Sequence, residues 1–469
     1  VDVTRNGVTR RRINVLDAAT ATVNNNDFAL PEVLPANPGA GFNDFDFTVC
    51  SDTEPGEPGP FGLDNGIWYS WTPAATGTAT ISTDDGGGNV TTFDTTLAVY
   101  TGGSLGTLEV VASDDDSGVG LRSLVTVPVN GGTTYRIKVD GFGAANGLMN
   151  LHLENGPPPT CGGLPATLVG TGGNDVLNGT PGNDVIVALG GNDSVFGTQG
   201  NDTICGDAGD DSLVGGQGAD FVLGGSGADF IDGSSGDDTL VGNPGGGSND
   251  DAGDTIRGGP DNDILDGWFG DDLLDGQGGN DELRGEAGID TVTYSTSPNA
   301  INASLVTNTA TGNGNDTFVA VENLDGSPRN DILEGSGIAN RLRGADGHDT
   351  IRGRGGEDAI SGGDGNDGLR GDNNNDYVKG GNGVDILTGG LGNDRVSGDA
   401  GEDRVSGNEG ADIVRGGTSD DLLDGGSEND QLFGENGNDH LIGGPNTDSC
   451  NGGNHADTSS GCEVIISIP

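Results

Sequence analysis

From Gly170 to about Asp457 an aspartate recurs every nine residues, with glycines and one aliphatic at fixed offsets from it. The stretch "GGQGADFVLGGSGADFIDG", residues 215–233, shows two units in succession. Counting Gly215 as place one puts Asp220 at place six and Val222 at place eight. A helix repeats every 3.6 residues and a strand every two, so neither is the unit here. A nine-residue unit with one inward aliphatic cannot bury a core alone. It must stack on copies of itself.

The aspartates fall at Asp175, Asp184, Asp193, Asp202, Asp211, Asp220, Asp229 and Asp238, then, after a seven-residue insertion, at Asp254, Asp263, Asp272, Asp281 and Asp290. A wider interruption spans 293–325. The register returns at Asp331, passes Asn340, and continues through Asp349, Asp358, Asp367, Asp376, Asp385, Asp394, Asp403, Asp412, Asp421, Asp430, Asp439, Asp448 and Asp457. Two places after each acid stands Leu177, Ile186, Val195, Ile204 and their successors. Each row reads as a turn of about six residues and a strand of about three. Two rows close one coil, so row n stacks on row n+2 at about 4.8 Å in a parallel ladder. Fourteen coils would make a rod roughly 65 Å long.

Glycine at places one and four permits positive φ and close backbone approach. Turn carbonyls then converge beside a carboxylate. Several oxygen ligands in a flexible turn suit calcium rather than zinc, copper or magnesium. Charge agrees: 74 Asp plus Glu face 19 Lys plus Arg, a formal net charge of −55. One ion per row would bring roughly two dozen divalent cations, close to neutrality. Stacked carboxylates without ions repel, so folding and ion binding should be one event. The expected ligands are the repeat aspartates, with Asp254, Asp448 and Asp457 left out. Rows lacking Gly at place four, among them Asp331, Asn340, Asp376, Asp421 and Asp430, should be weak. Asn374 and Asn446 adopt the left-handed conformation readily; Arg329, Ile338 and His455 do not.

Residues 1–38 form an arm carrying Arg5, Arg10, Arg11 and Arg12. Residues 40–155 alternate as strands in "IWYSWTP", "GTATIST", "FDTTLAVY", "SLVTVPV", "TTYRIKVD" and "LMNLHLE", which predicts a jelly-roll-like β-sandwich. Residues 156–169 read as a stiff linker. The repeats follow as 170–292, a widened coil 293–325, and 326–460 with a cap to 469, where Cys450 and Ser459 replace the aliphatic. The fold class is therefore all-β.

Such acidity excludes nucleic acid and anionic membrane as partners. No apolar run reaches the ~18 residues that span a bilayer. The chain opens at Val1 without Met, which reads as a mature or trimmed form. Of five cysteines, Cys450 and Cys462 are the first candidate disulfide, Cys161 and Cys205 the second, with Cys50 left over; buried free thiols are the alternative. Bridges would place the chain outside the cell. The histidines His152, His348, His440 and His455 make no H-E-x-x-H, and no Gly-Lys marks a P-loop. No catalytic constellation emerges, and the chain is read as no enzyme.

In its repeats the chain resembles the RTX (repeats-in-toxin) calcium-binding β-roll proteins. The resemblance implies a right-handed parallel β-roll, calcium held between the turns of rows n and n+2, secretion, and folding in extracellular calcium. "GSPRNDILEG" after "VENLDG" resembles the family's re-entry after a widened coil. Residues 40–155 resemble the bacterial pre-peptidase C-terminal-like sandwich in "GIWYSWTP", "FDTTLAVYTG", "ASDDDSG" and "GTTYRIKVDGFG". This group supplies accessory modules of secreted enzymes. Asp114, Asp115 and Asp116 read as a solvated acidic turn first and a calcium site second. Three roles stay open: an adhesive calcium-binding protein of surface or matrix with a protein or carbohydrate receptor, a fibre subunit whose arm adds a strand to a neighbour, and an accessory region of a secreted hydrolase.

Overall fold

The computed structural model describes residues 2–5, 8–11, 32–34, 42–47, 67–83, 94–104, 107–115, 122–141, 148–244 and 252–467. Most of the arm, Cys50, Asp116 and the tip of the first insertion lie outside them. The described residues are strands, bridges and turns, with no α-helix among them. The chain divides into two compact units, Val1–Thr171 and Gly172–Pro469.

In the first unit two sheets share one core. One orders its strands Glu32–Val33, Ile67–Trp71, Tyr135–Gly141, Thr95–Thr101, Glu109–Asp114; the other Phe42–Phe47, Leu148–Gly156, Gly77–Ser82, Leu124–Val129. Leu124–Val129 alternates exposed and buried as a half-covered strand should, with Val125, Val127 and Val129 inward. Tyr69, Trp71, Leu97, Val99, Ile137, Leu151 and Leu153 fill the space between the sheets. Ile67–Trp71 departs from alternation: all five residues are buried. Its other face puts Trp68 against Tyr100, ring centres 5.5 Å apart, with the Lys138 ammonium 5.7 Å from the indole. The arm's Asp2–Arg5 and Val8–Arg11 pair with each other as an antiparallel hairpin. The stretch expected as a linker carries a short pair, Thr160–Cys161 with Leu164–Pro165.

The second unit is a parallel β-solenoid. Ser194–Gln199 pairs with Ser212–Gln217, which pairs with Phe230–Ser235; Thr203–Ala208 pairs with Phe221–Ser226 on the other sheet. Row n does lie on row n+2. The aliphatics stack in two columns, Val195, Leu213, Ile231 in one and Ile204, Val222, Leu240 in the other, all fully buried. The first insertion leaves this intact, because Ile231 still meets Ile256 across it.

The expected strand length is corrected. Strands run to six residues, not three, since pairing continues through places one to three, as Thr198 with Gly216 shows. Through residues 293–325, read as a widened coil, Asn315–Val319 pairs with Glu282–Ala287 and Asn323–Asp325 with Thr291–Thr293, so two rows run on beside an antiparallel hairpin. The ladder runs on into the stretch read as a cap to 469. Val464–Ser467 adds a further strand, with Ile465 opposite Cys450. The longer ladders give about sixteen turns where fourteen were expected.

Candidate metal centre

Place six lies where the turn enters the strand, and its aspartate is buried: Asp202 is 1% exposed and Asp385 0%. One oxygen of each carboxylate is spoken for. The Asp202 amide donates to Asp220 Oδ1 at 2.7 Å, the Asp385 amide to Asp403 Oδ1 at 2.8 Å, and the pattern repeats from coil to coil. Across the insertion the Asp229 and Asp238 amides reach Asp254 and Asp263. Each acid therefore ties two coils together through the backbone.

The other oxygen is orphaned. Oδ2 is buried without a hydrogen-bond donor at Asp193, Asp202, Asp211 and Asp220, at Asp238, from Asp263 to Asp290, and at every ninth residue from Asp349 to Asp457. A buried carboxylate oxygen without a partner costs several kcal/mol, so its repetition along a roll requires a counterpart. It points at the place-one glycine. A Cβ built on Gly425 would stand 2.6 Å from Asp430 Oδ2 and 2.7 Å from the carbonyl oxygen of Gly443, the place-one residue of the coil above. The missing side chain thus leaves a cradle lined by a carboxylate and a carbonyl.

This revises the reading of the glycines. Place one needs glycine for space, not for φ. Positive φ falls on places two and four, and place two accepts Thr198 (+86°), Asp207 (+70°), Trp268 (+71°) and Arg354 (+80°). Asn374 and Asn446 take the left-handed conformation at place four as expected, and so does His455 at +82°, against expectation. Asp448 and Asp457, left out of the ligand set, show the same orphaned oxygen as their neighbours.

Burial dominates the titration. It raises the carboxyls of Asp238, Asp263, Asp385, Asp412 and Asp421 to about 7, with neighbouring carboxylates pushing the same way and the backbone hydrogen bond opposing. Asp211 and Asp220 rise to about 6 for the same leading reason. At neutral pH these groups are poised between holding a proton and holding a cation. Among the described residues no three acidic, His or Cys side chains converge on one point. Carboxylate and turn-carbonyl oxygens line the cradle together, an oxygen-rich set that fits a hard cation such as calcium.

Four rows differ. At Asp184 the Thr180 amide and hydroxyl donate to Oδ2 at 2.6 and 2.9 Å. Ser327 donates its amide to Asp331 Oδ2 and its hydroxyl to Oδ1, and Ser336 donates both to Asn340 Oδ1. In the widened coil Asp316 occupies place six: its Oδ1 accepts from the Asp281 amide at 3.2 Å and its Oδ2 from the Tyr294 hydroxyl at 2.8 Å. Asp175, at the start of the ladder, is only half-buried. Glu322 and Glu463 replace aspartate at place six, accepting from the Asp290 and Asp448 amides at 2.9 Å. The sequence does carry these three extra rows. "GNGNDTFV" fits places two to nine, and Leu324 and Ile465 stand two after their glutamates.

Cys450 and Cys462 form a disulfide, and Cys161 and Cys205 are disulfide-bonded as well. Asp114 Oδ2 accepts the Leu124 amide at 2.8 Å.

A parallel solenoid of nine-residue rows, with buried acids facing bare glycine carbonyls, defines a β-roll built to hold cations along its turns. The chain belongs to the RTX calcium-binding nonapeptide repeat family, whose model matches residues 169–240, 248–292 and 325–458, more than half of its length. No curated protein matches the chain as a relative.

Proposed function

We propose that this is a secreted, non-enzymatic calcium-binding protein of the cell surface or extracellular matrix. The roll is a stiff spacer that folds on meeting calcium outside the cell, and the sandwich is an adhesive head. The observation that carries the reading is the long succession of orphaned Asp Oδ2 atoms beside glycine carbonyls in the two regular runs. Calcium would supply the positive charge that these oxygens lack, with Asp193 to Asp238, Asp263 to Asp290 and Asp349 to Asp457 as carboxylate ligands. The disulfides support an oxidising compartment.

The test is circular dichroism with calcium stoichiometry during titration of chelated protein. β signal should rise with calcium at midpoints of about 10⁻⁴ to 10⁻³ M, in the range of extracellular modules. A roll fully formed in EGTA would end the proposal. Self-association is a second reading. It is supported by the arm, whose Asp2–Arg5 and Val8–Arg11 form strands of the kind that add to a neighbour's sheet edge. Sedimentation in calcium separates a monomer from a polymer.

A further inference from the structure

Apart from Asp184 near the start of the roll, the rows whose place-six oxygens the protein itself answers lie between the two regular runs. There Asp316, Asp331 and Asn340 have their side-chain oxygens answered by the protein. Asp316 holds Tyr294 through a phenol that is itself buried, at 2.8 Å. Asp331 accepts at Oδ2 from the Ser327 amide at 2.6 Å, and at Oδ1 from the Ser327 hydroxyl and the Ile301 amide at 2.8 and 2.7 Å.

Asn340 is the one row of the regular register without a charge, and the geometry explains it. Its side-chain nitrogen donates to the Glu322 carbonyl at 2.6 Å, where aspartate would set oxygen against oxygen. Its own oxygen accepts the Ser336 amide at 2.6 Å. A cation at these rows would have to displace donors already in place.

The same stretch also departs from the one-aliphatic rule. Tyr294, Ile301, Ala303, Leu305 and Ala310 are all buried, in addition to the column residues Phe318, Leu324, Leu333 and Leu342. All but Tyr294 come from a hairpin, Asn302–Ser304 with Thr309–Thr311, and the residues flanking its first strand, an element the regular rows lack. Here a coil has an apolar interior of ordinary kind and acids that need no ion.

We infer that residues 291–342 are a calcium-independent seed. The segment stays folded in metal-free protein, holds no calcium at Asp316, Asp331 or Asn340, and offers a strand ladder on each side for the calcium-dependent runs to build upon. Thr291–Thr293 already pairs with the preceding run, and Arg341–Asp346 with the following one. In a solenoid whose rows contact only their neighbours, folding propagates outward from whichever coil is stable first. The inference rests on the proposal that calcium folds the flanking runs.

Hydrogen exchange on the full chain, read by peptide in EGTA and in millimolar calcium chloride, tests both together. In EGTA, peptides within 291–342 should exchange at least about tenfold more slowly than those from 193–229 and 385–421, and calcium should protect all three. Exchange in 291–342 as fast as in the runs would overturn the seed and leave the calcium reading standing. Protection of the runs in EGTA would instead remove the calcium reading, and the seed with it. Tyr294→Phe deletes one hydroxyl and leaves the ring. It should cost 291–342 several-fold of its EGTA protection without changing the runs, and unchanged protection would overturn the role given to the phenol.

Discussion

The sandwich and the roll solve the same problem with opposite materials. Between its sheets the sandwich buries Tyr69, Trp71, Leu97, Ile137, Leu151 and Leu153, large side chains from several strands converging on one interior. Each regular row of the roll commits one aliphatic, and the next largest thing it buries is a carboxylate. Removing apolar surface from water stabilises the first without help. It falls short for the second, where ordering nine residues is opposed by chain entropy and each acid adds a desolvation cost. On the function proposed above, the roll's missing free energy comes from bound calcium, entering at the orphaned oxygens.

The sharpest way to break this comparison is to remove the ion. EGTA should abolish the β signal of the regular runs while the near-ultraviolet bands of Trp68 and Trp71, both buried in the sandwich, persist. Thermal unfolding followed at those bands should not respond to calcium. The roll should respond strongly, since a single site at a hundred times its dissociation constant adds about 2.7 kcal/mol and the roll repeats the site. Loss of both signals together would show that the two units do not differ in kind.

Protons should partly stand in for the metal. In metal-free roll, burial holds the Asp238, Asp263, Asp385 and Asp412 carboxyls at about 7, against ~4 in an unfolded chain. Between these values the folded form binds more protons than the unfolded one. Stability in EGTA therefore falls as pH rises from ~4 to ~7 and is greatest below that window. Acidifying chelated protein from pH 7 to 4 should restore β signal in the roll. Calcium affinity should move the other way, weakening below pH 7 as protons compete. The sandwich's described interior carries no such ladder, and its tryptophan bands should stay flat over the window.

Substitutions sharpen the contrast further. Ile137→Ala in the sandwich should cost ~2–5 kcal/mol in urea melts, equally with and without calcium, because it leaves a cavity. Gly425→Ala in the roll adds a single methyl group. It should cost ~1–3 kcal/mol and raise the calcium midpoint, because the methyl enters the cradle between Asp430 Oδ2 and the Gly443 carbonyl. Ala188 holds the same place in the Asp193 row, so the cost at Gly425 depends on how closely the coil above sits. A midpoint unmoved in Gly425→Ala would detach the glycine from the ion site.

How much of this was legible beforehand depends on what repetition can encode. The period, the n to n+2 stacking, the aliphatic columns and the acid ladder all follow from spacing, since every row must satisfy the same contacts as its neighbours. What spacing could not show was which glycine serves which end. Places one and two are both commonly Gly, yet only contact with the next coil reveals that Gly425 needs room while Asp207 and Trp268 bear the positive φ. Glu322 and Glu463 escaped because a search keyed to aspartate passes over an acid one methylene longer. Tyr294 was invisible for a different reason: it meets Asp316 from 22 residues away, through a hairpin that belongs to no row.

The smallest effect concerns the roll's outer surface. In the second run, cations at place nine reach acids at place two of the coil above: Lys379 lies 3.0 Å from Asp399, and Arg415 3.0 Å from Glu435. Arg415 also covers Phe433, its guanidinium 4.9 Å from the ring centre. These side chains are about half exposed, so each pair contributes at most ~1 kcal/mol and less in salt. Arg415→Ala should therefore shift the calcium midpoint of the roll only slightly, by less than about fivefold, and 0.5 M sodium chloride should erase most of the difference. A larger, salt-resistant shift would mean that the coils are held from outside as well as by the carboxylates within. The contrast between a sandwich held by its interior and a roll held by its ions would then need a third term.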